Sequence, residues 1–233
     1  MNHRKTTSRW RRVPLVLFPL ILVAATASSA SAAAAPSGLV PPGGTFAGKT
    51  YGQWSASWWQ WAVSMPASHS ALADPTGANC ALNQSGRVFM LAGVASAAPP
   101  FTAERTCHVP AGVALMVPII NNECSSSPQD CGASTDYNTL LAAAAGGLNG
   151  ATTKVKLDGV ALHAVLAVSP APPFPLDWVA GNPFGIDPGP TVSVADGFYV
   201  LLRPLTPGHH RLAFTGSEPG FTVSVLYHLD VAG

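Results

Sequence analysis

Residues 221–231 read FTVSVLYHLDV. Phe221, Val223, Val225, Tyr227, Leu229 and Val231 fall on one side of an extended chain. Thr222, Ser224, Leu226, His228 and Asp230 fall on the other. An alternation of this length, with one mostly polar face, predicts a half-buried strand of an antiparallel sheet. Just upstream, His210, Leu212 and Phe214 alternate with His209, Arg211 and Ala213, and Pro207-Gly208 supplies a turn before them. Before that turn, Phe198, Val200 and Leu202 alternate with Tyr199, Leu201 and Arg203. Three strands in meander order predict a mainly β fold, an antiparallel β-sandwich of jelly-roll-like type.

Further strands are expected upstream. Residues 154–157 and 160–168 flank Asp158-Gly159, a strong hairpin signal. Residues 87–91 form a short apolar run. Residues 113–120 form a longer one, where Pro118 predicts an edge or a bulge. Residues 169–191 hold seven prolines and predict a long ordered loop carrying Trp178. Residues 134–147 predict a short Ala-rich helix, capped by Ser134 and stopped by Gly146-Gly147.

The segment 51–65, YGQWSASWWQWAVSM, predicts a Trp-rich helix packed across the sheets. Thr50 and Gln53 have capping-box spacing, and Pro66 ends the run. At about 100° per residue, Tyr51, Trp54, Trp58, Trp61 and Met65 share an apolar stripe roughly 80° wide. Trp59 and Val63 lie opposite it.

The first residues carry an export signature. Arg4, Lys5, Arg9, Arg11 and Arg12 precede an apolar stretch at 13–25, and Ala30-Ser31-Ala32 has the form of a cleavage site. That stretch is shorter than the ~20 residues a bilayer span needs. The expected organisation is a signal peptide at 1–32, a flexible lead-in at 33–48 and a single β-rich domain at 49–233. Secretion is expected, without stable membrane insertion, by either the general or the twin-arginine route. Beyond residue 32, seven Lys+Arg face eleven Asp+Glu, a balance of −4. Without a basic run, that argues against a nucleic-acid partner.

Four cysteines, Cys80, Cys107, Cys124 and Cys131, allow three disulfide pairings. Cys124 and Cys131 flank the loop with the smallest closure entropy. The expected bridges are therefore Cys124–Cys131 and Cys80–Cys107. No C-x2-C spacing occurs, which argues against zinc.

Four motifs stand out in combination: W-x3-WWxW at 54–61, D-P-T-G-x2-C at 74–80, R-x-C-x-V-P-A-G at 105–112 and A-D-G-F-Y-V-L-L-x-P-L-x-P-G-x-H at 195–210. The chain resembles a group of secreted bacterial proteins of unassigned function. The resemblance spans most of the mature chain and implies one continuous domain. It implies no activity.

No G-x-S-x-G, H-E-x-x-H or P-loop motif is present, so lipases, zincins and P-loop enzymes find no support. Candidate ligand-binding residues are Trp59, Trp178, Asn121 and Asn122. An exposed Trp could stack on a sugar ring, although burial is the commoner fate of large aromatics. Candidate catalytic groups are Glu123, Asp74, Arg105 and His108, a carboxylate–arginine–histidine set held near the disulfides. Ion pairing and loop hydrogen bonds are their structural alternative, and Asp74 sits in a turn context. His209, His210, His228 and Asp230 could face one another on adjacent strands, but no metal and no cofactor is expected. Three functions remain open. One is a module binding an extracellular polymer, carbohydrate foremost, or a small molecule. The second is a carboxylate-dependent hydrolase or lyase. The third is a surface protein whose Trp59 and Val63 face a partner chain. Composition leaves the oligomeric state open.

Overall fold

The computed structural model describes residues 38–95 and 101–233. The expected signal peptide lies outside the described residues. In chain order the elements are β1 (Thr45–Phe46), β2 (Lys49–Thr50), α1 (Tyr51–Ala62), β3 (Val88–Met90), β4 (Thr102–Val109), β5 (Ala114–Ser125), α2 (Tyr137–Gly146), β6 (Thr152–Leu157), β7 (Val160–Leu162), β8 (Val165–Val168), β9 (Phe174–Trp178), β10 (Gly189–Leu202), β11 (Gly208–Glu218) and β12 (Phe221–Val231). The described residues are mainly β, with two α-helices and two five-stranded sheets of mixed orientation among them.

The first sheet runs β3-β5-β10-β8, with β9 also pairing β10. The second runs β4-β12-β11-β6-β7. Most pairings are antiparallel, but β3–β5 and β12–β4 are parallel. The expectation of a purely antiparallel fold is therefore corrected. Strand β12 matches its alternation: Val223, Val225, Tyr227, Leu229 and Val231 are buried.

The expected three-strand meander is also corrected. Strands β11 and β12 pair over their whole length, whereas β10 belongs to the other sheet. The physical reason lies in the faces of β10. Val200 and Leu202 enter the apolar cluster between the sheets, while Tyr199 and Leu201 enter the cluster under α1. A strand apolar on both sides needs cover on both sides, so it becomes central. The hairpin at Asp158-Gly159 forms as expected, with both residues at positive φ. The second arm does not continue as one strand. It breaks after Leu162, and β8 joins the first sheet. The Pro-rich segment 169–191 is likewise not all loop, since it contains β9 and the start of β10. Pro118 sits in a central strand at a bulge, where the register with β10 slips between Phe198 and Tyr199.

Helix α1 begins with the capping box expected of Thr50 and Gln53. Its indoles donate to backbone carbonyls: Trp54 Nε1 to Phe46 at 2.9 Å, Trp58 Nε1 to Leu91 at 2.7 Å and Trp61 Nε1 to Leu82 at 3.0 Å. These bonds fix the helix to three separate segments. Trp59 is not a surface residue. It is 6% exposed, and Val63 is 0% exposed. The helix is buried on both sides, because the segment around Phe184 covers the side opposite the stripe. A partner-facing role for Trp59 and Val63 is excluded by this burial. Trp59→Ala should cost about 3–5 kcal/mol, as for Trp58→Ala. Urea unfolding of the two variants checks this, and a loss below about 1 kcal/mol at Trp59 would contradict it.

Helix α2 is capped by Asp136, whose carboxylate accepts from the Thr139 N–H at 2.9 Å, rather than by Ser134. Both disulfides join the expected partners, Cys80 with Cys107 and Cys124 with Cys131. From Leu39 onward the segment expected as a flexible lead-in is tied into the fold. Leu39 bridges Leu202, the Val40 N–H donates to Leu201 O, and Val40 is buried. Among the described residues, no helix is long and apolar enough to cross a membrane.

Candidate functional site

Among the described residues, strand β3 pairs only with Ala114–Met116 of β5. Beyond Met116, the run from Pro118 to Glu123 lines a cleft of about 750 Å³. Its apolar walls include Trp58 and Trp59 from α1, Trp178 from β9, Phe184 and Ile186 from the following loop, and Phe221 and Val223 from β12. One end is polar, carrying Asn121, Asn122, Glu123, Asp130 and Glu218.

The aromatic wall is built by stacking. Trp58 and Trp59 meet edge to face at 5.1 Å, Phe184 lies 5.5 Å from Trp59, and it meets Trp178 edge-on at 5.9 Å. Phe184 is 39% exposed, so it presents ring area to the solvent. Asn182 holds its loop: the side-chain oxygen accepts from Phe184 N–H and Ile186 N–H, and the amide donates to Ile186 O and Val179 O. Gln129 and Asp187 exchange hydrogen bonds, tying this loop to the disulfide loop. Trp59 and Trp178 are core residues at the base of the wall, not exposed platforms.

The polar end depends on the Cys124–Cys131 bridge. Glu123 precedes one cysteine and Asp130 the other, so closing the loop sets the two carboxyl groups side by side. Asp130 accepts from Ser125 N–H at 2.6 Å and from Ser125 Oγ at 2.7 Å. Ser193 Oγ donates to Glu123 Oε1. Burial and then the Asp130 charge push the Glu123 carboxyl up to about 8, against the lowering effect of Ser193. Glu218 is also raised by burial, although it accepts from Asn122 Nδ2 at 3.1 Å.

This arrangement makes stability depend on pH. Between pH 4.5 and 8, native Glu123 holds a proton that the unfolded chain releases. Stability therefore falls as pH rises through that window. Glu123→Gln is neutral at every pH and keeps an acceptor for Ser193. Relative to wild type it should gain about 1–3 kcal/mol by pH 8, allowing for solvent screening, and little at pH 5. Thermal unfolding of both proteins from pH 5 to 8 checks this. Parallel curves would show Glu123 ionised like a surface carboxylate. The raised Glu218, Asp196 and His210 contribute equally to both proteins and cancel.

The expected carboxylate–arginine–histidine set is not brought together. The cleft lining contains Glu123, Asn121 and Asn122 but not Arg105, His108 or Asp74. Arg105 is 1% exposed and bonded to backbone carbonyls. Asp74 organises its own turn, accepting from Thr76 N–H and Oγ1 and from Asn79 N–H. Burial opposes ionisation there, but those bonds and the Arg105 charge hold the carboxyl below its ordinary value. The His108 side chain is 85% exposed on β4, 3.4 Å from Asp230, in the other sheet. Asp230 also meets His209, yet no group of three metal-ligating side chains occurs among the described residues.

Glu218 and Phe184 are cleft residues not singled out from sequence, and Asp130, an acid in a turn context, joins them. A signal for Asp130 existed: it adjoins the cysteine paired with the one that follows Glu123. Glu218 and Phe184 arrive by tertiary packing alone. No protein family, curated protein or solved structure matches this chain.

Proposed function

We propose that this chain is an exported, disulfide-stabilised β-sandwich protein that binds a sugar unit of an extracellular polymer in the cleft between α1 and the bulged part of β5. The observation that carries the proposal is the cleft itself: one aromatic wall and one polar end in the same cavity. A pyranose has an apolar face suited to Phe184 and hydroxyls suited to amide and carboxylate acceptors. Export is supported by the basic, apolar and A-x-A signature of residues 1–32 and is compatible with two disulfides.

A second reading has its own observation. A carboxyl group raised to about 8 beside the Asp130 carboxylate is protonated at neutral pH and can donate that proton. Glu123 would then be the acid of a hydrolase or lyase. A glycan array with polysaccharide pull-down, each hit assayed for soluble products, tests both readings. Binding without products supports the module, and products abolished in Glu123→Gln support the enzyme. No captured glycan under any condition would overturn both.

A further inference from the structure

The outward face of the second sheet carries a groove distinct from the cleft. Its lining includes Lys154 and Lys156 of β6, Arg211 of β11, Ser224 of β12 and Glu104 of β4. The strand registers set these residues in rows. Lys156 lies beside Ala213, then Leu226, then Glu104. Lys154 lies beside Thr215, then Ser224, then Thr102. Lys154 and Lys156 thus stand on one bank, hydroxyls run across the floor, and Arg211 rises from β11 within that floor, its backbone N–H donating to Asp158.

Among the described residues, every ion pair within 4 Å involves a histidine. The side chains of Lys154, Lys156 and Arg211 therefore have no carboxylate within 4 Å among the described residues, and all three residues are exposed. Glu104, on the far bank, is engaged by His228 Nε2 at 2.8 Å. Beyond residue 32 the chain has an acidic balance of −4, yet three of its seven Lys+Arg residues share this groove. Unpaired charge of one sign in a groove concentrates a ligand of the opposite sign. Among the described residues, no aromatic ring other than that of Phe214, a buried residue, lines it, so ring stacking is not its mode of recognition.

We propose that this face binds a linear polyuronate, its carboxylates on Lys154, Lys156 and Arg211 and its hydroxyls over Thr215 and Ser224. Adjacent outward residues on a strand are about 7 Å apart and adjacent strands about 5 Å, so the three cations can meet carboxylates on successive sugars. One carboxylate per sugar fits better than denser sulfation, because Glu104 stands across the groove. The surface is independent of the cleft and does not rest on the function assigned to it.

The test is retention of the purified protein on immobilised alginate, with neutral dextran, duplex DNA and phosphatidylglycerol vesicles as parallel arms. Wild type should bind alginate at low salt and release as salt screens the contact. The triple variant Lys154→Ala, Lys156→Ala, Arg211→Ala should bind about a hundredfold more weakly, at about fivefold per exposed cation. Its thermal midpoint should be unchanged, since all three side chains are exposed. Three results would overturn the proposal: no alginate binding, undiminished binding by the triple variant, or equal retention on DNA, vesicles or dextran.

Discussion

Replacing Arg105 with Met is expected to lower the unfolding free energy by about 3–5 kcal/mol, a large part of the 5–15 kcal/mol that holds a typical domain. Arg105 is 1% exposed. Its Nε donates to Asp74 O at 2.7 Å, and Nη1 faces Ala92 O, Gly93 O and Tyr227 Oη, each at 2.8 Å. The same guanidinium lies over the Tyr227 ring. It therefore gathers the 72–74 turn, the 92–93 segment and β12 around one group. Met fills the volume but supplies no donors, which leaves several buried carbonyls with fewer partners. Lys should rescue only in part, because one ammonium cannot reproduce a planar fork of five N–H groups. Urea midpoints of the oxidised proteins decide this. A loss under about 1 kcal/mol in Arg105→Met would show that water serves these carbonyls equally well.

Gly216→Ala should be at least as damaging, by a different route. A Cβ at Gly216 would lie 2.0 Å from Ile119 O and 2.7 Å from Ile119 C. Both are backbone atoms of the bulged part of β5, so no side chain can turn aside. Strand β11 of the second sheet approaches β5 of the first at this point. An added methyl must therefore separate the sheets or unfold one of them, beyond the about 1–3 kcal/mol of ordinary overpacking. The parallel case is Gly52, where a Cβ would lie 1.9 Å from Val168 O and lift α1 off β8. Soluble yield and thermal midpoint report the outcome. A Gly216→Ala protein melting within a few degrees of wild type would contradict the close crossing.

Both positions depend on contacts between segments far apart in the chain. Strand β12 and the cap of α1 were legible because both are local: alternation over eleven residues, and Thr50 three residues before Gln53. The disulfide pairing was legible from loop length. Arg105 was not: it shares its side of β4 with Ala103, Cys107 and Val109, but nothing local shows the carbonyls that meet it there. Trp59 failed for a related reason. An angular stripe finds one buried face, and α1 has two. The change of sheet between β10 and β11 was half visible, because 198–202 is apolar on both faces while 221–231 is not. The polar end of the cleft needed one further step, from the 124–131 bridge to the acids beside each cysteine. Phe184 had no local signal, because its place in the cleft wall depends on Trp59 and Trp178 from distant parts of the chain.

Phe184 also gives the most direct test of the cleft as a sugar site. It lines the cleft and is partly exposed, so Phe184→Ala should leave the fold intact. The measurement is a calorimetric titration of the strongest oligosaccharide hit into wild type and Phe184→Ala under identical conditions. Loss of one stacked ring should weaken binding about three- to tenfold, while the thermal midpoint falls by only a few degrees as the contacts with Trp59 and Trp178 are lost. An unchanged Kd in a folded Phe184→Ala protein would place the ligand elsewhere and contradict the assignment.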